Sequence, residues 1–152
     1  MAEDLPLIIR KAKEGDILDI LQIENVSFVS PWDEDTFISI LNDTSCKSIV
    51  ALIPSDVLAG YCFALEMRNM IHLLNLAVRP EYRKKGIGRC LVEEVISLAA
   101  LSNRKSIFLE VRMSNDSAKC LYRAMGFHHV CTWERYYTDT GEDAEVMAKK
   151  LS

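Results

Sequence analysis

At 152 residues, 49% of them apolar, the chain is long enough to bury its own core, and a single domain over 1–152 is the simplest organisation. Its 18 Lys and Arg are outnumbered by 22 Asp and Glu, a formal net charge of −4, which speaks against a broad basic face for DNA. No apolar run approaches the roughly 18 residues of a membrane span, and the opening MAEDLPLIIRKAKEGD is too interrupted by charge for a signal peptide.

Residues 5–12, LPLIIRKA, read as a first strand. Asp16 is placed to cap a helix that carries Ile17, Leu18, Ile20, Leu21, Ile23 and Val26 at helical spacing. In SPWDEDTFISIL, 30–41, Ser30 is expected as N-cap, Pro31 as first helical residue, and acids fill the first turn. Strands are expected at 47–53 and 58–67, joined by the turn PSD as a hairpin, and at 71–78, ended by Arg79 and Pro80. After a basic loop, Leu91, Val92, Val95, Ile96, Leu98 and Ala99 form one face of an amphipathic helix. A strand at 105–113 comes next, then a helix capped by Ser114 or Asn115 and stopped by Gly126, then strands near 129–137 and 144–150 across the polar turn TDTGED. Strands interspersed with helices predict a mixed α/β (α+β) sheet with no linker dividing it.

The loop YRKKGIGRCL, 82–91, is the most unusual stretch. An acidic chain here places Arg83, Lys84, Lys85 and Arg89 around Gly86 and Gly88, between a strand and a helix. Glycines let backbone N–H groups approach a ligand. A helix beginning near Ile87 adds unpaired donors and the positive end of its dipole, which is an anion site. There is no GxxxxGK[ST] and no GxGxxG. The plainer reading is a solvated loop that only starts a helix.

With its flanks the loop says more. The strand LLNLAVRPEYRKKGIG, the helix, the strand LEVRMSN and then A…LY…GF resemble, in this order, the GNAT superfamily of acyl-CoA-dependent N-acetyltransferases. The hallmark [RQ]-x-x-G-x-[GA] is matched by Arg83 to Gly88, and the resemblance spans nearly the whole chain. It implies a mixed, mostly antiparallel sheet of about seven strands flanked by about four helices, with acetyl-CoA as the acyl donor. Its pyrophosphate would lie on the amides from Lys84 through Lys85, Gly86, Ile87 and Gly88 to Arg89. Its pantetheine arm would lie along the backbone of Leu76, Ala77 and Val78, hydrogen-bonded by Asn115. Leu76 stands where the family more commonly has Ile.

Making an amide from an amine and a thioester requires a base for the ammonium, donors for the oxyanion and a proton for the thiolate. Glu110 interrupts the apolar strand IFLEVRM. On the residues alone it reads as an outward carboxylate paired with a neighbour such as Arg112, or as a buried ion pair; the resemblance implies the general base. Tyr122 shares a helix face with Ala118 and Met125 and reads as a core aromatic; the resemblance implies the acid that protonates the departing sulfur. A phenol of pKa near 10 suits a thiolate near 8.5. His72, His128 and His129 are expected to be structural. The five cysteines, Cys46, Cys62, Cys90, Cys120 and Cys131, are odd in number and lack metal-ligand spacing. They predict free thiols, a reducing cytoplasmic location and no metal.

SPWDEDTF, 30–37, and ERYYTDTGEDAEVM, 134–147, are similar to segments of the bacterial RimI type within the superfamily. That type acetylates the N-terminal alanine of a ribosomal protein, the eighteenth of the small subunit, so the implied partner is a ribosomal N-terminal peptide. Trp32, Tyr136 and Tyr137 are then candidate walls of a peptide groove. The tyrosines read equally as cross-strand packing. Glu142 and Asp143 suit a basic peptide. An α-amine of pKa near 8 is deprotonated more cheaply than a lysine near 10.4, by roughly three kcal/mol. Two alternatives stay open: a small-molecule amine acetyltransferase on the same fold, and a non-catalytic acyl-CoA-binding module.

Overall fold

The computed structural model describes residues 6–151. Seven strands form one sheet: β1 (Ile8–Lys11), β2 (Cys46–Ile53), β3 (Val57–Glu66), β4 (Met70–Val78), β5 (Ser106–Arg112), β6 (His128–Tyr137) and β7 (Glu142–Lys150). Their spatial order is β1-β2-β3-β4-β5-β7-β6. Four α-helices flank it: α1 (Ile17–Ser27), α2 (Glu34–Leu41), α3 (Ile87–Leu101) and α4 (Asp116–Ala124). The expected mixed, mostly antiparallel architecture is the one observed: only β4 and β5 pair in parallel. The crossover that parallel pairing demands is α3.

Alternation along the strands sends apolar side chains to both faces, and each face has its own core. On one face α3 and α4 bury Leu91, Val95 and Tyr122 against Ile49, Cys62, Ile71, Ile107 and Leu109. On the other, α1 and α2 bury Ile20, Ile23 and Phe37 against Val50, Tyr61 and Phe63. Phe37 stacks within 5.2 Å of Phe63 and 6.0 Å of Tyr61, so one fully buried ring anchors the short α2, a burial worth about 1.5–3 kcal/mol.

Three local expectations are corrected. β1 is shorter than 5–12, and Leu5 lies outside the described residues. Asp16 precedes α1 but does not cap it: its carboxylate accepts from Arg10 (2.8 and 2.9 Å) and from the Lys13 N–H (2.9 Å), an ion pair that ties β1 to the turn. α2 starts at Glu34, not Pro31. Asp33 is its N-cap, accepting from both the N–H and the hydroxyl of Thr36. Ser30, three residues before the cap, stands outside the helix, and its hydroxyl donates to Asp139 (2.6 Å), a residue far along the chain. Asn115, of the two candidates, caps α4, and Gly126 at φ +94° ends it.

Two features of β4 bear on the site. Its register against β3 slips so that Phe63 faces Asn75 and Ala64 faces Leu73, leaving Leu74 as an extra residue. Ile71 and Leu73 therefore point to the α3 face, while beyond the bulge Leu76 and Val78 take that face and Ala77 turns to the other. The pairing of β4 with β5 also stops early. It covers only Met70–Ser106, Ile71–Ile107 and His72–Phe108, after which the two strands have no common hydrogen bonds.

Candidate active site

Where β4 and β5 part, a cavity of about 920 Å³ runs through the sheet. All the site residues expected from the sequence line it except Lys85, which is exposed. Leu76, Ala77 and Val78 border it along an edge of β4 that has no strand partner. Such an edge offers a row of unpaired backbone groups to an extended ligand.

One end of the cavity is the start of α3. Its N-cap is Gly86 at φ +85°, with no side-chain cap and no acid in the first turn, so the donors at the helix start are left for a ligand. A Cβ on Gly86 would meet nothing within 4 Å, but the left-handed backbone there disfavours any other residue. Gly88 also lines the cavity, and a Cβ there would be in ordinary contact with Leu121 at 3.4 Å, with Val78 and Leu76 at 3.8 and 3.9 Å. The cations are also less free than expected. Arg83 donates to the Val78 carbonyl (2.9 Å) and to the Ser27 hydroxyl (3.1 Å), which ties the loop to the ends of β4 and α1. Arg89 pairs with Glu93 one turn on (3.1 Å). Asn115 spends its carbonyl oxygen on the α4 cap, which leaves its amide N–H₂ available at the cavity.

Glu110 and Tyr122 enter from opposite faces of the sheet. Ile107, Leu109 and Val111 point into the α3–α4 core, so Glu110 points the other way, where α1 and α2 do not extend. Its Oε2 lies 2.5 Å from His72 Nε2, and the two side chains are 12% and 20% exposed. The His72 ring stacks on Phe108 at 4.2 Å, 14° from parallel. Arg112, the neighbour suggested for Glu110, is instead committed to Asp139. Tyr122 is 6% exposed, packed against Phe127, and its hydroxyl has no hydrogen-bond partner among the described residues. Burial, with Cys62 and Tyr137 nearby, pushes its phenol above the ordinary value, so it stays protonated. Burial pushes the Cys62 thiol, in the core beside Tyr122, up to about 12.

The opposite mouth is walled by Trp32, Tyr136 and Tyr137. Trp32 is wedged against Phe37 at 5.3 Å, and its N–H donates to Glu24 (2.9 Å). Glu24 is 1% exposed and also accepts from the Tyr61 hydroxyl (2.5 Å) and the Asn75 amide (2.8 Å). Arg112 lies 4.0 Å over the Tyr137 ring and grips Asp139, which bonds Ser30 in turn. This bridge fastens the β6–β7 turn to the segment before α2. The Arg112 guanidinium and the Ser30 hydroxyl hold the Asp139 carboxyl well below the usual range. Burial is the main cause of a Tyr137 phenol pushed up to about 12. Glu142 and Asp143, read from the sequence as suiting a basic peptide, accept from the Ser114 and Arg135 N–H groups.

Two residues at the cavity, His72 and Glu24, are absent from the set expected from the sequence. Glu24 has a visible signal, since it stands one turn from Ile20 and next to Ile23 on the apolar face of α1. His128 is exposed, and His129 is 3.7 Å from Glu145, away from the cavity. None of the five cysteines is in a disulfide, and none lines the cavity. Among the described residues no group of three His, Cys, Asp or Glu is placed to hold a metal, and no helix is long and apolar enough to cross a membrane.

Residues 17–127 match the acetyltransferase (GNAT) family. The chain belongs to that family. It is 33% identical over 132 residues to the ribosomal protein bS18-alanine N-acetyltransferase of Escherichia coli (strain K12), covering 86% of this chain and 88% of that one. It is 30% identical over 155 residues to an N-alpha-acetyltransferase of Saccharolobus solfataricus, covering 94% and 92%. The crystal structure of the ribosomal-protein-S18-alanine N-acetyltransferase from Escherichia coli superposes with a TM-score of 0.88 at 30% identity, covering 97% and 95%. The chain is accordingly an acyl-CoA-dependent N-acetyltransferase. An uncapped helix start, a glycine that only a positive φ explains and an open strand edge in one cavity fit acetyl-CoA, whose phosphates and amides need those partners.

Proposed function

We propose that this enzyme acetylates the α-amino group of an N-terminal alanine on a small-subunit ribosomal protein, by direct attack in a ternary complex. The observation that carries the reading is the position of Glu110: a carboxylate at the point where the sheet opens, between the acceptor mouth and the Tyr122 side of the cavity. The Escherichia coli relative named for that reaction supports the acceptor. The lack of a cysteine on the cavity wall, among the described residues, supports direct attack rather than an acyl-enzyme.

Acetyl-CoA supplies the thioester carbonyl. The amides at the start of α3, with Lys84 and Arg89, hold its phosphates, while the free edge of β4 and the Asn115 amide hold its arm. Trp32, Tyr136 and Tyr137 flank the acceptor and narrow the mouth against water. Glu110 takes a proton from the ammonium, Tyr122 gives one to the sulfur, and the second proton that the nitrogen sheds as the amide forms passes through solvent to restore the Tyr122 phenol. Each of the first two transfers is worth roughly 10²- to 10⁴-fold.

Glu110→Gln tests the reading, because the amide keeps the shape and removes the basicity. Coenzyme A binding should persist while kcat falls roughly 10²-fold or more at pH 7. The defect should shrink as pH rises past about 8, where the α-amine sheds its proton in solution. A pH series of both proteins on an alanine-initiated peptide measures this. A defect equal at every pH would assign Glu110 to positioning or folding instead.

A further inference from the structure

We infer that His72 is a positioning residue for acetyl transfer: its Nε2–H donates to Oε2 of Glu110 and leaves Oε1 to meet the acceptor amine. The inference rests on Glu110 being the base. His72 sits in the last paired row of β4 and β5, opposite Phe108, and the stack on that ring fixes the plane of the imidazole. With the plane fixed, Nε2 lies 2.5 Å from Oε2. Glu110 has no other hydrogen bond among the described residues, so His72 alone restrains a side chain that otherwise turns about three bonds.

A carboxylate acting as base needs one lone pair aimed at the proton. A donor on the second oxygen supplies that aim without consuming the first. Nε2 keeps its hydrogen throughout: the ammonium N–H bond breaks, the Oε1–H bond forms, and the proton leaves Glu110 through the open mouth after the product departs. The other groups near Glu110 cannot take over this task. Tyr136 and Tyr137 approach from β6 as phenols, which burial, with a smaller contribution from the charge of Glu110, makes harder to ionise. Arg112, two residues along β5, is held by Asp139 and lies over Tyr137. The His72 Nδ1 has no partner among the described residues, so nothing else fixes the ring beyond the stack and Glu110.

The test compares His72→Leu and His72→Gln, alone and combined with Glu110→Gln, by steady-state kinetics on acetyl-CoA and an alanine-initiated peptide. A misaimed group costs up to roughly 10²-fold, so His72→Leu should lower kcat about 10- to 100-fold with KM for acetyl-CoA little changed. Gln carries an amide N–H near the place of Nε2 and should recover most of that loss. In the Glu110→Gln background, His72→Leu should cost almost nothing more, because no base is left to aim; a merely structural role would cost the same in both backgrounds. In the unaltered protein, ¹⁵N NMR should show His72 Nε2 bearing a hydrogen at neutral pH, a measurement that does not depend on a variant folding. Full turnover in His72→Leu, equal loss in the Leu and Gln variants, equal cost in both backgrounds or a bare Nε2 would each overturn the inference. Full turnover in Glu110→Gln would instead overturn the reading of Glu110, and with it the premise of this pair.

Discussion

Tyr122 offers a hydroxyl that bonds to nothing among the described residues, from a ring held in the core by Phe127. The hydroxyl is not one of the fully buried polar atoms that lack a partner, so it opens on the cavity that Tyr122 lines, where Phe would pack as well. Its presence there is explained if it meets the sulfur. Burial raises the phenol and so keeps it protonated and able to donate. Tyr122→Phe should lower kcat roughly 10²-fold while leaving KM for acetyl-CoA nearly unchanged. The sign of the shift adds a pH expectation. A raised phenol remains protonated beyond its usual range near 10, so Tyr122 itself should impose no alkaline fall in rate below about pH 10. Equal turnover in the Phe variant, read in a thiol-release assay, would remove the acid role.

At the scale of elements, the start of α3 makes the most specific demand. Gly86 at φ +85° has open space where a side chain would go, so its substitution strains the loop without disturbing packing. Gly86→Ala should cost about 1–2 kcal/mol of local strain and turn the amides away from the ligand. Calorimetry should show coenzyme A affinity falling at least tenfold with a small change in Tm; unchanged affinity would move the phosphates elsewhere. The glycine loop is legible in the sequence because φ and charge leave a mark on composition. The helix starts are legible only to within a few residues. Ser30, Pro31 and Asp33 all suit an N-terminus, and the observed cap is Asp33, which accepts from Thr36. The extra residue at Leu74 in β4 leaves no mark either, because LLNLAV is apolar on both sides of it. How free the cations at 83–89 are is also beyond the sequence, since Arg83 turns back to Val78 and Ser27.

Across the whole molecule, function depends on one early end to strand pairing. β4 and β5 are joined at only three rows, and the gap beyond them lets a donor held on the α3–α4 side meet an acceptor on the α1–α2 side. Seven strands and four helices can be counted from periodicity, but which strands part cannot, because parallel partners carry no local signal of where they separate. The same gap explains why the sequence does not mark His72: there it stands alone before an apolar run, and only the parallel row with Phe108 brings it to Glu110. On the proposed function, the amine that reaches this gap is a peptide's own terminus. The direct measurement is tandem mass spectrometry after incubation with acetyl-CoA and two peptides. One begins with a free alanine; the other has the same sequence with a blocked terminus and one free lysine. At pH 7 an α-amine is already partly deprotonated, while a lysine needs roughly three kcal/mol more. An acetyl group is expected on the alanine nitrogen of the first peptide and little on the second, with both signals lost in Glu110→Gln. Lysine acetylation matching that of the terminus would contradict it.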